Sequence, residues 1–174
     1  MQIININPIC KGTVFNVKEV ELALPDNRTQ IYQLVDHPDS VTILPLDENG
    51  YIWFVKQFRI GSQSCLLELP AGVLEPGEDP LECARREIRE EIGMGARKFT
   101  KLGEYYLAPG YCSECNHAFL AEELFPSPLM HDDDEFLEIE KYKNTKAYEL
   151  TKQGKIIDGK SLAALLLAQK HIFP

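Results

Sequence analysis

Three glutamates cluster near the middle of the chain, Glu87, Glu90 and Glu91, with Arg86 and Arg89 interleaved. On a helix turning about 100° per residue, Glu87 and Glu91 lie one turn apart on one flank, with Glu90 just beyond Glu87. Leu81, Ala84, Ile88 and Ile92 form an apolar stripe on the same helix, and Glu91 falls at its edge. Like charges at the border of a core cost several kcal/mol unless they protonate or meet a cation. Arg86 and Arg89 are the local counter-charges, and both project away from Glu91. An ordinary solvated acidic helix would hold its acids on the wet face in i,i+4 pairs. Acids set against a core instead suit a divalent ion with oxygen ligands. Mg²⁺ takes a few carboxylates, retained waters and substrate phosphates.

The elements that must position these acids are also legible. Asp79 suits an N-cap, Pro80 the first helical position, and Glu82 resembles the acidic half of a capping box. Gly93 suits the position that stops the helix. Upstream lies a loop rich in Gly and Pro, Pro70-Ala71-Gly72 to Gly77-Glu78. Its Gly72 stands six residues before Glu78, and Glu78 stands eight before Arg86.

The rest of the chain reads mostly as strands. Thr13–Val17, Glu19–Leu24 and Thr29–Val35 are short β segments broken by Pro25-Asp26-Asn27 and His37-Pro38-Asp39. They predict a small antiparallel sheet over residues 1–40, too small to be stable alone. It must pack on the remainder of the chain, on a second subunit, or on both. Ser40–Leu44 and Tyr51–Gln57 are strands joined by Asp47-Glu48-Asn49-Gly50, a strong hairpin signal. Leu66–Leu69, Lys98–Tyr106, Cys115–Ala121 and Phe136–Tyr142 are further strands. Helices are expected over Lys146–Gln153 and Ser161–His171, the second with Ser161 as its cap. The run Asp132-Asp133-Asp134-Glu135 reads as an acidic loop.

The 174 residues suffice for a substantial core, and no internal repeat or linker divides them. A net charge of −9 argues against nucleic acid as a partner. The opening MQIININPIC lacks a basic region followed by an apolar core, so no signal peptide is expected. No apolar run approaches a membrane span; the longest is near Leu162–Ala168. An odd cysteine count predicts reduced thiols and a cytoplasmic location. Cys112-Ser-Glu-Cys115 lacks the second pair of ligands that a zinc site needs.

Gly72 to Met94 resembles the Nudix box without a mismatch: Gly, five residues, Glu, seven residues, then Arg-Glu-apolar-any-Glu-Glu-any-Gly-apolar. The flanks resemble the ADP-ribose pyrophosphatase branch of the Nudix hydrolases. Gln57-Phe58-Arg59, Glu68-Leu69-Pro70-Ala71-Gly72, the Ala108–Glu114 loop with Pro109, and Asp133–Glu138 all have counterparts there. The resemblance implies an α/β/α sandwich around a mixed sheet, with an N-terminal antiparallel sheet region. It divides the chain into residues 1–40, serving dimerisation and substrate, and a Nudix hydrolase domain over 41–174. It also implies a homodimer through the N-terminal region.

The reaction implied is Mg²⁺-dependent hydrolysis of a nucleoside diphosphate sugar, with ADP-ribose giving AMP and ribose 5-phosphate; Mn²⁺ can stand in. Glu87, Glu91, Glu90 and the Ala71 carbonyl are the implied metal ligands. Arg86 holds the carboxylates and Glu78 braces the loop against the helix. The resemblance sets the general base on the acidic loop, Glu135 first and Asp133 second, where Asp133 is one methylene shorter than the branch's glutamate. Arg59 can make charge-assisted bonds to the diphosphate, and Glu114 can accept from a ribose hydroxyl. Tyr32, Trp53 and Phe15 are the aromatic candidates for stacking on adenine. The alternatives are a pyrophosphatase of GDP-mannose or another nucleotide sugar, and a non-catalytic nucleotide-binding Nudix module.

Overall fold

The computed structural model describes residues 1–130 and 136–173. Its strands and helices run β1 (Gln2–Lys11), β2 (Asn16–Ala23), β3 (Thr29–Asp36), β4 (Ser40–Pro45), β5 (Tyr51–Arg59), β6 (Ser64–Glu68), β7 (Ala71–Val73), α1 (Pro80–Ile92), β8 (Met94–Tyr106), β9 (Cys115–Pro126), β10 (Glu138–Lys143), α2 (Asn144–Lys152) and α3 (Gly159–Ile172). The chain forms two compact units, one of residues 1–39 with 105–115, the other of 40–104 with 116–174.

The first unit is a three-stranded antiparallel sheet, β1-β2-β3. Its register aligns Ile6, Val20 and Tyr32 in one cross-strand row and Pro8, Lys18 and Leu34 in the next. On the opposite face the rows are Asn5-Glu21-Ile31 and Asn7-Glu19-Gln33. The sheet is therefore amphipathic across its thickness, as period-two alternation requires. β1 escaped the sequence reading, because its isoleucines are interrupted by asparagines and Pro8. The Ala108–Glu114 loop is tied to the end of β3. The Val35 N–H donates to Tyr111 O at 2.7 Å, the Ser113 N–H to Val35 O at 3.0 Å, and the His37 N–H to Ser113 Oγ at 2.9 Å.

The second unit is an α/β/α arrangement. Its mixed sheet has the order β7-β4-β9-β8, with β4 antiparallel to β7 and parallel to β9. A second sheet, β10-β5-β6, is antiparallel. β4 is buried along its whole length. Val41 and Ile43 pack with Phe119, Ala121 and Val55 against Cys83, Ala84, Ile88 and Ile92 of α1. Alternation turns Thr42 and Leu44 to the other face, and α3 also packs on β4. Parallel pairing with helical cover explains why β4 reads as a nearly continuous apolar run.

The Asp47–Gly50 turn forms as expected. The Gly50 N–H donates to Asp47 O at 2.9 Å, and Gly50 takes φ +74°. The hairpin does not follow. β4 and β5 belong to different sheets, and an isolated bridge between Leu46, just past β4, and Ile52 of β5 stands in place of a ladder. Both edges of β4 are already used by β7 and β9, so the turn passes the chain from one sheet to the other. The cap of α3 is Asp158, not Ser161; the Asp158 carboxylate accepts from Ser161 N–H at 2.8 Å and Ser161 Oγ at 2.7 Å.

Candidate active site

α1 starts and stops where its sequence requires. The Asp79 side chain accepts from the Leu81 N–H at 2.8 Å, Pro80 occupies the first turn, and Gly93 closes the helix at φ +68°. The capping box is not made: Glu82 lies 3.4 Å from Arg85 instead. The helix turns Cys83, Ala84, Ile88 and Ile92 into the core and carries two carboxylates in with them. Glu87 is 9 % exposed and Glu91 2 %.

Arg86 gathers three acids. Its Nε and Nη2 donate to Glu78 at 3.0 and 2.9 Å, and its Nη1 donates to Glu87 at 2.6 Å and Glu90 at 2.9 Å. Nη2 also reaches the Val73 carbonyl at 3.3 Å. The guanidinium fork permits this, since its five N–H donors point in fixed directions. The bidentate bond from Arg86 holds the Glu78 carboxyl down at about 2, and the same bond raises Arg86 above its ordinary value. Glu78 is itself stitched into the loop: its Oε2 accepts from the Glu75 N–H at 2.9 Å, and Gly77 between them takes φ +83°. Glu78 and Arg86 thus fasten the loop to the helix.

Two further contacts come from the strand that enters the loop. The Ala71 N–H donates to Glu91 Oε2 at 3.1 Å. Gly72 lies so close to Glu87 that a β-carbon there would overlap its carboxylate. The spacing of Gly72 from Glu87 is therefore a contact distance, because only a hydrogen side chain fits.

Arg59, at the end of β5, sits on Glu68. Nε donates to both Glu68 oxygens at 2.9 and 3.1 Å, and Nη2 donates to Oε2 at 2.6 Å. Glu68 is 1 % exposed. That bond raises Arg59 above its ordinary value, and the charges of Glu91 and Asp158 raise it further. Glu68 as the anchor of Arg59 was missed in the sequence. The available signal was an acid inside the apolar run Leu66-Leu67-Glu68-Leu69.

Of the remaining candidates, Glu114 belongs to the other compact unit, with its Oε2 3.9 Å from His37 Nδ1. Asp133 and Glu135 lie outside the described residues. Trp53 is committed elsewhere: Lys141 Nζ stands 3.2 Å from its ring centroid, and its Nε1 donates to Asp47 at 3.1 Å. Tyr32 and Phe15 are exposed in the first unit. The five cysteines form no disulfide, and burial pushes the Cys83 thiol far up, which keeps it protonated.

The donor set fits a divalent cation. Glu68, Glu78, Glu87, Glu90 and Glu91 outnumber Arg59 and Arg86, so the site carries a negative excess. Among the described residues no group of three or more His, Cys, Asp or Glu stands together in a way that could hold a metal ion by itself. Mg²⁺ needs only a few carboxylates, since waters and substrate phosphates complete its shell.

Comparison with known proteins agrees with this geometry. The description "NUDIX domain" matches residues 36–165. An ADP-ribose pyrophosphatase of Bacillus subtilis (strain 168) is 36% identical over 163 residues, covering 92% of this chain and 88% of that one. A GDP-mannose pyrophosphatase of Yersinia enterocolitica is 34% identical over 161 residues, covering 85% of this chain and 84% of that one. A solved structure of an ADP compounds hydrolase superposes with TM-score 0.87 at 25% identity, covering 98% of this chain and 93% of that one. On the matched domain, the strand order and the braced acidic helix together, this chain belongs to the Nudix family.

Proposed function

We propose that the chain hydrolyses the diphosphate of a nucleoside diphosphate sugar, with ADP-ribose as the preferred substrate. The chain is a Nudix pyrophosphohydrolase. The observation that carries the reading is the buried pair Glu87 and Glu91, one turn apart on α1, with Arg86 and Glu78 bracing it. Water attacks one phosphorus, the bond to the bridging oxygen breaks, and AMP and ribose 5-phosphate leave.

In this reading Glu87, Glu90, Glu91 and the Ala71 carbonyl would hold Mg²⁺, or Mn²⁺ in its place. The bound ion would neutralise diphosphate charge and lower the pKa of a coordinated water. Arg86 fixes the separation of Glu87 and Glu90 while Glu78 holds Arg86 from behind. Glu135, and after it Asp133, is the base that accepts the water's proton. Arg59 donates to the diphosphate, and Glu114 accepts from a ribose hydroxyl.

A second substrate has specific support. The 34% identity to a GDP-mannose pyrophosphatase keeps that sugar nucleotide in the same chemistry. A non-catalytic binding module is disfavoured, because every box carboxylate is present. The test is product analysis with Mg²⁺ and ADP-ribose, GDP-mannose, ADP-glucose, NADH and nucleoside triphosphates. AMP should appear fastest from ADP-ribose. GMP appearing faster from GDP-mannose would move the specificity, and no hydrolysis of any of them, with Mn²⁺ as well, would overturn the proposal.

The reading extends to a homodimer formed through residues 1–40. Ile6 and Tyr32 are half exposed on the apolar face of the first unit's sheet, on either side of buried Val20. An exposed apolar face of this kind marks an association surface. Light scattering should give the mass of two chains, and Ile6→Lys should give the mass of one. A monomeric unmutated protein would remove the dimer from the reading. No helix among the described residues is long and apolar enough to cross a membrane. We place the enzyme in the cytoplasm, where reduced thiols are at home.

A further inference from the structure

We infer that Glu68 is a positioning residue that aims Arg59 at the diphosphate, a role that rests on the functional reading above. Stability alone does not call for this pair. A carboxylate removed from water is expensive, and well-packed apolar side chains in place of a buried ion pair are often neutral or stabilising. Yet Glu68 is 1 % exposed and both its oxygens are spent on Arg59.

The geometry has a direction. All three bonds use the Nε and Nη2 edge of the guanidinium. Among the described residues Nη1 takes no hydrogen bond, so the fork keeps one donor edge available for a phosphate oxygen. Arg59 is also near enough to Glu91 to feel its charge.

The anchor is itself rigid. Glu68 ends β6, and the next N–H, of Leu69, donates to Ser161 Oγ of α3 at 2.8 Å. Ser161 is in turn held by Asp158. Two residues further on, the Ala71 N–H holds Glu91. One pinned segment, 68–71, therefore sets both the substrate arginine and a box carboxylate.

The test is a double-mutant cycle of Glu68→Gln and Arg59→Ala in the full-length protein. It is read as affinity for inorganic pyrophosphate with Mg²⁺, and separately as KM and kcat for ADP-ribose. Glu68→Gln should weaken pyrophosphate binding and raise KM by about tenfold, the size of one charge-assisted hydrogen bond, with a smaller change in kcat. In the Arg59→Ala background it should add nothing further. Effects that multiply in the double variant would overturn the inference, because a purely structural glutamate acts whether or not Arg59 is present.

Arg59→Lys gives a second reading that leaves Glu68 intact. Lysine keeps the charge but cannot both sit on Glu68 and offer a second edge. KM should rise as far as in Arg59→Ala, and a near-native KM would again overturn the inference. If the unmutated protein hydrolysed no nucleotide sugar while the pyrophosphate cycle behaved as expected, the functional reading would fail and the positioning role would stand.

Discussion

Glu91→Gln is expected to lower kcat by two to three orders of magnitude with the fold unchanged. The side chain is 2 % exposed, and its Oε2 accepts from the Ala71 N–H. A carboxamide has the same shape and its oxygen can still accept that bond, so the backbone donor stays satisfied. The change removes a buried charge, which favours the folded chain where no cation is bound. Stability should therefore hold within about 1 kcal/mol or improve. Activity should not hold, because on the proposed function Glu91 is one of the carboxylates that would hold the metal. Losing one preorganised electrostatic group of this kind costs on the order of 10²–10³ in kcat. Steady-state kinetics at saturating Mg²⁺, beside a thermal melt, separate the two effects. Near-normal turnover would mean that the ion is held elsewhere. Glu91→Ala is the poorer experiment, since it leaves the Ala71 N–H without its acceptor and adds a folding cost of about 1–3 kcal/mol.

The helix that carries Glu91 was the most legible part of the chain. Asp79, Pro80 and Gly93 act within a few residues of themselves, so their meaning does not depend on the rest of the fold. The burial of Glu87 and Glu91 followed from helical geometry alone, given that Ile88 and Ile92 must face a core. Legibility fell where a residue had a choice of partners. Glu82 could close the capping box or pair with Arg85, and took Arg85. Ser161 could cap α3, but Asp158 caps it; the Ser161 hydroxyl donates to Asp158 and its oxygen accepts from the Leu69 N–H. The Asn-Gly turn is real, yet whether its flanking strands pair depends on what else β4 must bond. Arg59 and Glu68 are nine residues apart across the β5–β6 connection. No local periodicity announces such a pair; only the misfit of an acid in an apolar strand hints at it. The fold class came with the resemblance carried by Gly72 to Met94, whereas the details of the site needed contacts set by tertiary packing.

Gly72→Ala should cripple the site while barely touching the fold. A β-carbon at position 72 would overlap the carboxylate of Glu87. Gly72 is not among the positive-φ glycines, so alanine meets no backbone strain there. Alanine even restricts the unfolded chain, which works in favour of stability. The obstacle is the end of a flexible side chain, and Glu87 can swing aside at small energetic cost. It cannot do so without consequence, because its Oε1 is held by Arg86, which also holds Glu78 and Glu90. Displacing Glu87 pulls on the whole brace. A misplacement of about 1 Å in a catalytic constellation can cost on the order of 10²-fold in rate. We expect that loss in kcat/KM, a higher Mg²⁺ requirement, and a melting temperature within a few degrees of the parent protein. Gly154 supplies the contrast: it sits at φ +67° with open space around its α-carbon. Gly154→Ala should cost about 1 kcal/mol of stability with full activity, since αL geometry penalises a side chain wherever it points. Full activity in Gly72→Ala would mean that Glu87 works from a position other than the one it holds against the loop.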